Sequence, residues 1–496
     1  MNALPQFQSM SPVVETVLDR VTGSLPPVVG PRAEEAGADA AAGGFVSINP
    51  ATGRRFATYR AHSSGEVAAA TAAGDRAFRR WRETPMEERT AHLRSLARAL
   101  AERQTELAAL LTAEVGKPIA QSLREIEKCV AVCDHYADQG PAFLACEHPP
   151  GSPAQAHVEF APLGIVLAIM PWNFPFWQLF RVAAPALVSG NVVLLKHANN
   201  VCGCARAIER VCRAAGLPRG LVQSLRISPR EVETLIGDPR VRAVTVTGSA
   251  AAGKRIAAIA GAAMKPGTYE LGGNDAALVL RDADIGLAAK VSAHSRLINS
   301  GQSCIATKRF IVVRSVLKRF ECALVEAMAA YRVGDPMDSA TQIGPLARLD
   351  RRIELQRQVA GSVAAGARLL LGGTALPGAG FFYPPTVLTD VRPGMTAFEE
   401  EVFGPVASIV PVRDEAAAIR LANATSYGLG AAVFTADRVR GRRIAAQLDC
   451  GLVFLNAYAR SDLNLPFGGT KDSGYGRELG IWGARAFANV KSVWVD

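Results

Sequence analysis

The chain lacks the roughly 18 to 20 consecutive apolar residues that a membrane-spanning helix requires. Its most continuous strand-like run, LGIVLAIM, ends at Pro171. No charged start leads into an apolar core, so no secretory leader is expected. Nine cysteines in 496 residues include no Cys-x-x-Cys. The close pairs Cys129/Cys133 and Cys202/Cys204 lie in alanine-rich helical contexts and read as small buried hydrophobes. A disulfide scaffold is excluded, and free thiols point to the reducing cytoplasm. Seven histidines show neither H-x-x-x-H nor H-E-x-x-H, so no metal is expected. The net charge of +10 is carried mostly by arginine. Blocks such as RRWR and RRIELQR alternate with acids at helical spacing, as solvated helix faces do, and no nucleic-acid groove is expected.

What remains is a globular composition, 49% hydrophobic and 20% charged, too long for one core. Residues 1–44, rich in Pro, Gly, Ala and Glu, read as a mobile tail with a short possible helix at VVETVLDRV. Order begins near FVSINPATG. Ser63 with Glu66, and Thr84 with Glu87 around Pro85, predict two capping boxes. They open helices carrying Leu93, Leu96, Leu100, Leu107, Leu110 and Leu111, stopped by GKP. From residue 158 short apolar runs (GIVLAIM, NVVLLK, LVQSL, VRAVTVT, AALVL) alternate with helix-length segments. A second series follows GQSC: RFIVVR, VASIVPV, GAAVFT, GLVFLN. The alternation predicts two tandem parallel-sheet α/β domains joined near residues 270–275. The terminal SVWVD reads as one more strand, belonging obviously to neither sheet.

Several positions carry chemistry. VTVTGSAAAGKRI, residues 244–256, nearly matches the P-loop G-x-x-x-x-G-K-[ST], but Arg255 fills the Ser/Thr position. Cys304, in NSGQSCIATKR, lies in a polar loop followed by Lys308 and Arg309, where a thiol is accessible and near cations. Glu270 ends a strand before a double glycine, as a general base does, or a loop-capping carboxylate. Asn173, in MPWNFPFW, offers one amide in a rigid aromatic turn, an oxyanion donor or an incidental packing residue. Lys196 ends the strand NVVLLK, where open α/β sheets bind ligands.

Taken in order, PWNFP, LLKHA, VTVTGS, ELGGND, GQSCIATKRF, EEEVFGPV, GLVFLN and PFGGTKDSGYGRELG resemble the aldehyde dehydrogenase superfamily over residues 45–496. IMPWNFPFWQ, LLKHANN and FYPPTVL resemble its succinate semialdehyde dehydrogenase branch. The resemblance implies a Rossmann-like cofactor domain (45–140 and 162–271) and a catalytic domain (272–481). It also implies a β oligomerisation arm (141–161 and 482–496) that joins a homodimer or homotetramer. Cys304 would be the nucleophile, Asn173 the oxyanion donor and Glu270 the base that activates water. NAD or NADP would lie against Gly248 and Ser249 at its pyrophosphate, Lys196 and Glu401 at its riboses, and Trp172 and Phe403 beside the nicotinamide. Asn199 stands where NAD-selective members often carry Glu, so nothing there repels a 2′-phosphate, and His197 beside it is neutral or attractive. Arg181 and Ser461 would meet a substrate carboxylate. Ile298 replaces an arginine found in some members, which leaves room for other aliphatic or aromatic aldehydes. Three rival readings remain: a P-loop phosphotransferase, an inactive binding protein, and a thiol hydrolase pairing Cys304 with His294.

Overall fold

The structure is a computed structural model that describes residues 44–495. The expected tail, apart from Gly44, and its possible helix lie outside the described residues. The first strands, β1 (Gly44–Asn49) and β2 (Arg54–Arg60), form an antiparallel hairpin. The capping box at Ser63 forms as expected: Glu66 N donates to Ser63 Oγ at 3.3 Å and Ser63 N donates to Glu66 Oε2 at 2.8 Å. The box expected at Thr84 does not form. Thr84 is committed to closing the preceding helix, its hydroxyl donating to Arg80 O at 3.2 Å and its N–H to Trp81 O at 3.1 Å. Pro85 therefore caps the helix Met86–Glu102 without a side-chain bond. The leucine series divides at Arg103 into Met86–Glu102 and Gln104–Val115. Gly116, at φ 77°, closes the second piece in the left-handed region. A further box, Ser228 with Glu231, opens Pro229–Gly237 and was not foreseen.

After β3 (Ala156–Pro162) come the five strands of the first sheet. They are β4 (Ile165–Met170), β5 (Val192–His197), β6 (Val222–Ser224), β7 (Val241–Thr247) and β8 (Gly267–Glu270). All are parallel, in the order β6-β5-β4-β7-β8. The order reverses between β4 and β7. A crevice therefore opens at the carboxyl ends of these strands, the place where such sheets bind ligands.

The second sheet contains β9 (Ala276–Val279), β10 (Arg309–Val313), β11 (Arg368–Leu371), β12 (Thr386–Thr389) and β13 (Val406–Val412). After the two-residue β14 (Tyr427–Gly428) it adds β15 (Gly430–Phe434) and β16 (Leu452–Leu455). Its order is β11-β12-β13-β10-β9-β15-β16, parallel throughout except for β11. The run AALVL, read with the first series, is β9 and belongs here. Only residues 271–275 separate it from β8, far fewer than the dozen or so that a parallel crossover needs.

β17 (Thr470–Lys471) pairs with β14, and the closing strand β18 (Ala488–Trp494) pairs antiparallel with β3 from Ala488↔Pro162 to Trp494↔Ala156. The terminal run thus finds its partner within the chain as a two-stranded arm. No helix among the described residues is long and apolar enough to cross a membrane.

The hairpin is fastened to the first domain by one buried carboxylate. Glu114 accepts from Gly203 N at 2.9 Å, from Cys204 N at 2.8 Å and from Ser47 Oγ. The two amides lie at the N-terminus of Cys202–Ala214, where free N–H groups and the helix dipole favour an anion. Glu114→Ala would leave these donors unpaired in the interior. It is expected to cost about 2–4 kcal/mol, read as a lower denaturant midpoint; an unchanged midpoint would show that water takes the carboxylate's place.

Candidate functional site

The turn after β4 carries Asn173, 4% exposed. Its Nδ2 donates to Gln302 O at 3.1 Å, and its Oδ1 accepts from Gln178 Nε2 at 2.9 Å, so the amide orientation is fixed from both ends. Glu125, on the helix Ile119–Phe143, holds the turn from behind. Its Oε1 accepts from Phe176 N at 3.0 Å and Trp177 N at 3.1 Å, the free amides that open Pro175–Val188. Glu125 also pairs with buried Lys117, whose Nζ lies 3.8 Å from the Phe174 ring centroid. None of these supports was foreseen, because they join residues about fifty positions apart.

Cys304 sits at the end of a loop that runs through the left-handed region at Asn299 (φ 53°), Ser300 (φ 53°) and Gly301 (φ 77°). Gly301 is required there, since a Cβ would stand 2.1 Å from Gly404 O. Buried cations hold the loop's carbonyls: Lys308 Nζ donates to Ser303 O at 3.1 Å and to Cys304 O, and Arg296 donates to Thr307 O at 3.1 Å and to Gly301 O. Burial pushes the Cys304 thiol up to about 12, with Lys308 and then Arg181 pulling it back. The resting group is therefore the thiol, and the reaction needs a base.

That base is close. Glu270, at the end of β8, is 2% exposed, and neither of its oxygens has a hydrogen-bond partner. Burial, and next the neighbouring Glu478, raise its carboxyl well above the usual range, while Arg181 opposes them. Gly468 gives it room, for a Cβ there would lie 2.6 Å from Oε1. Arg181 ion-pairs with Glu478 through Nε and stands 4.7 Å from the Phe467 ring centroid. Glu478, within the quoted GYGRELG motif, received no role in the sequence reading. Ser461, expected beside Arg181, accepts a hydrogen bond from Lys128 Nζ at 3.0 Å. Ile298 is half-buried at the start of the Cys304 loop. His294 packs edge-on against Tyr458, ring centroids 4.9 Å apart, and is not among the groups acting on the thiol, so the hydrolase reading gains no support.

The residues expected to hold a dinucleotide border the same crevice. Gly248 follows β7, and a Cβ there would meet nothing within 4 Å, which leaves space against the backbone for a diphosphate. Ser249 caps Ala250–Ala262 by accepting from Ala252 N at 3.3 Å, so its proton remains free to donate. The helix end and open space suit an anion. Lys196, whose ammonium burial lowers, donates to Asn199 Oδ1 at 3.3 Å. His197 is buried and pushed down to about 4, hence neutral. Glu401 Oε1 accepts from Gly273 N at 3.0 Å and lies 3.5 Å from Lys308 Nζ. Trp172 and Phe403 meet at right angles, centroids 5.8 Å apart. This set fits NAD or NADP. It does not fit the P-loop reading: Lys254 pairs with Asp472 at 2.8 Å and Arg255 with Glu233, so both cations are engaged elsewhere.

Comparison with known proteins places the chain in a family. The model of the aldehyde dehydrogenase family matches residues 38–493. Succinate semialdehyde dehydrogenase [NAD(P)+] Sad of Escherichia coli is 47% identical over 451 residues, covering 91% of this chain and 98% of that protein. A probable succinate-semialdehyde dehydrogenase [NADP(+)] of Synechocystis is 45% identical over 91% of this chain and 99% of its own. Among solved structures, succinic semialdehyde dehydrogenase from Streptococcus pyogenes in complex with NADP+ has a TM-score of 0.89 at 34% identity, covering 91% and 99% of the two chains.

The position of the thiol's pKa can be tested directly. Inactivation by iodoacetamide, followed as loss of activity without cofactor, is expected to accelerate about tenfold per pH unit between pH 7 and 9, with no plateau, because only the thiolate reacts. A plateau below pH 8 would place the pKa far lower than burial implies.

Proposed function

The chain belongs to the aldehyde dehydrogenase family, and from that premise we propose that it oxidises succinate semialdehyde to succinate through a thioester on Cys304. NAD or NADP is the oxidant, and its one chemical contribution when bound is to accept hydride. The observation that carries the substrate assignment is buried Arg181, whose charge acts on both Cys304 and Glu270. Ser461 is the second expected carboxylate partner. The names of the similar enzymes support the same substrate.

The reaction follows from the side chains. Glu270 takes the proton of the Cys304 thiol, and its raised pKa makes it the stronger base for that transfer. The sulfur adds to the aldehyde carbon, and the carbonyl π pair moves to oxygen. Asn173 Nδ2 has two hydrogens, one engaged by Gln302 O and one available to the oxyanion beside the Cys304 N–H. Such a donor contributes about 2.7–4 kcal/mol. Collapse of the oxyanion expels hydride and leaves the thioester. Glu270, once its proton has gone to solvent, takes one from water as that water attacks the thioester carbon; the C–S bond breaks and the acid departs. The presence of this base favours hydrolysis over acyl transfer.

Cys304→Ala is expected to abolish turnover of every aldehyde. Glu270→Gln is expected to slow the release of the first equivalent of reduced cofactor, because the thiol loses its base, and then to stall at the thioester, as stopped-flow absorbance would show. Full-rate turnover by either variant contradicts these roles. Charge at the far end of the substrate gives the second test. Succinate semialdehyde should exceed butanal by at least ~10-fold in kcat/KM, the scale of one charge-assisted contact. If butanal is the better substrate, Ile298 in place of arginine is decisive and the substrate assignment fails.

The arm supports assembly into a homodimer or homotetramer. Val490 and Trp494 on β18 are each 63% exposed, and a two-stranded ribbon leaves unpaired edges that another chain can cover. Deleting residues 488–496 is expected to reduce particle mass in light scattering and to lower activity. An unchanged mass would remove the arm from the interface.

A further inference from the structure

Lys128 has no task in the reaction above. It lies on Ile119–Phe143, and its Nζ stands 4.0 Å from the Trp177 ring centroid and donates to Ser461 Oγ at 3.0 Å. Trp177 and Arg181 are four residues apart on Pro175–Val188 and so share one face. Ser461 comes from the opposite end of the chain, 333 positions away. The ammonium is thus placed by a ring below it and a hydroxyl beside it, an arrangement that a freely solvated lysine does not adopt.

Among the described residues no carboxylate forms an ion pair with Lys128. Glu125, one turn back on its helix, acts on it but is occupied by Lys117 and two backbone amides. After burial, the charge that acts most on Lys128 is another cation, Arg181. Arg181 itself is different. It is 4% exposed and paired with Glu478, 2% exposed, so that its charge is largely met from within the protein. A second cation held beside it, accessible yet closely surrounded, is a poor arrangement unless an anion arrives from outside.

We propose that Lys128, with Ser461, is the primary seat for the carboxylate of a short ω-carboxy aldehyde, and that Arg181 is the flanking charge. This rests on the succinate semialdehyde reading and adds to it the residue that determines specificity. The Trp177 ring fixes the ammonium by a cation–π contact, and Ser461 supplies a second donor to the anion. Burial beside Arg181 pushes Lys128 down to about 8, and a bound carboxylate would restore its full charge. Lysine at this place also offsets the arginine absent at Ile298.

The test is steady-state kinetics of the full chain at saturating cofactor with succinate semialdehyde and butanal, for the unmodified enzyme, Lys128→Met and Lys128→Arg. Butanal turnover reports that each variant is folded. Lys128→Met is expected to raise KM for succinate semialdehyde at least ~10-fold, with kcat and the butanal kcat/KM within about twofold. Lys128→Arg should retain most of the preference. An unchanged KM in Lys128→Met overturns the proposal, and so does an equal fall for both aldehydes, which marks a structural role. If the unmodified enzyme prefers butanal, the substrate reading fails on its own. Lys128 is then judged by succinate as a competitive inhibitor of butanal oxidation: a Ki raised about tenfold in Lys128→Met keeps the anion seat, and an unchanged Ki removes it.

Discussion

The path of the Cys304 loop is one that the chain does not favour, and buried cations hold it there. Asn299 and Ser300 are non-glycine residues in the left-handed region, each costing on the order of 1 kcal/mol or more. Arg296, Lys308 and Arg309 are at most 1% exposed; the first two donate to carbonyls of the loop, and Arg309 to Asn274 O, just ahead of β9. Burial lowers all three, Arg296 to about 9 and Arg309 to about 10. Against this, Glu401 and then Asp275 raise Arg296 and Lys308, and Asp275 raises Arg309. The clamp is also electrostatic, since Lys308 is the foremost influence pulling the Cys304 thiol down. Lys308, which holds the Cys304 carbonyl, therefore also favours ionisation of its thiol.

The same burial acts on nucleophile and base together. Had the thiol alone been raised, its proton would have no acceptor of matching strength. Glu270 is raised as well, by the same desolvation and by Glu478, so the gap between donor and acceptor narrows. Arg181 touches both sides of this balance and is itself steadied by Glu478. The transfer exchanges one buried anion for another and adds no new charge to the interior.

The sheets were legible because strands covered on both faces are almost continuously apolar, as GIVLAIM and VRAVTVT are. β11 and β12 were missed because each is four residues long and neither stands out from its surroundings. Thr84 shows the limit of local signals: the sequence offers a capping box, but the preceding helix claims the residue first. Cys304, Glu270 and Asn173 could be singled out because each sits in a local motif, though their roles came only with the resemblance of the motifs taken in order. Glu478 and Lys128 were not, since their meaning lies in Arg181 and Ser461, far away in sequence. Lys254 is the opposite case, a residue with a suggestive local setting whose partner, Asp472, shows it to be a surface ion pair.

The proposed catalytic residues come from two sheets, and polar contacts set their relation. Asn173 follows β4 and Glu270 ends β8 of the first sheet, and Cys304 precedes β10 of the second. The bonds between them concentrate on the Cys304 loop: Asn173 Nδ2 to Gln302 O, Asn299 Nδ2 to Asn173 O at 2.8 Å, and Asn299 N to Gln121 Oε1 at 2.7 Å. Apolar packing alone would tolerate a slide of a few tenths of an ångström, because dispersion is non-directional. Hydrogen bonds to carbonyls lose strength steeply with angle, so this network fixes orientation as well as distance. Asn173 shares its amide with the backbone of the Cys304 loop. A displacement of that loop therefore moves the amide with it, and in the proposed mechanism the two groups that meet the aldehyde carbon and its oxygen keep their separation.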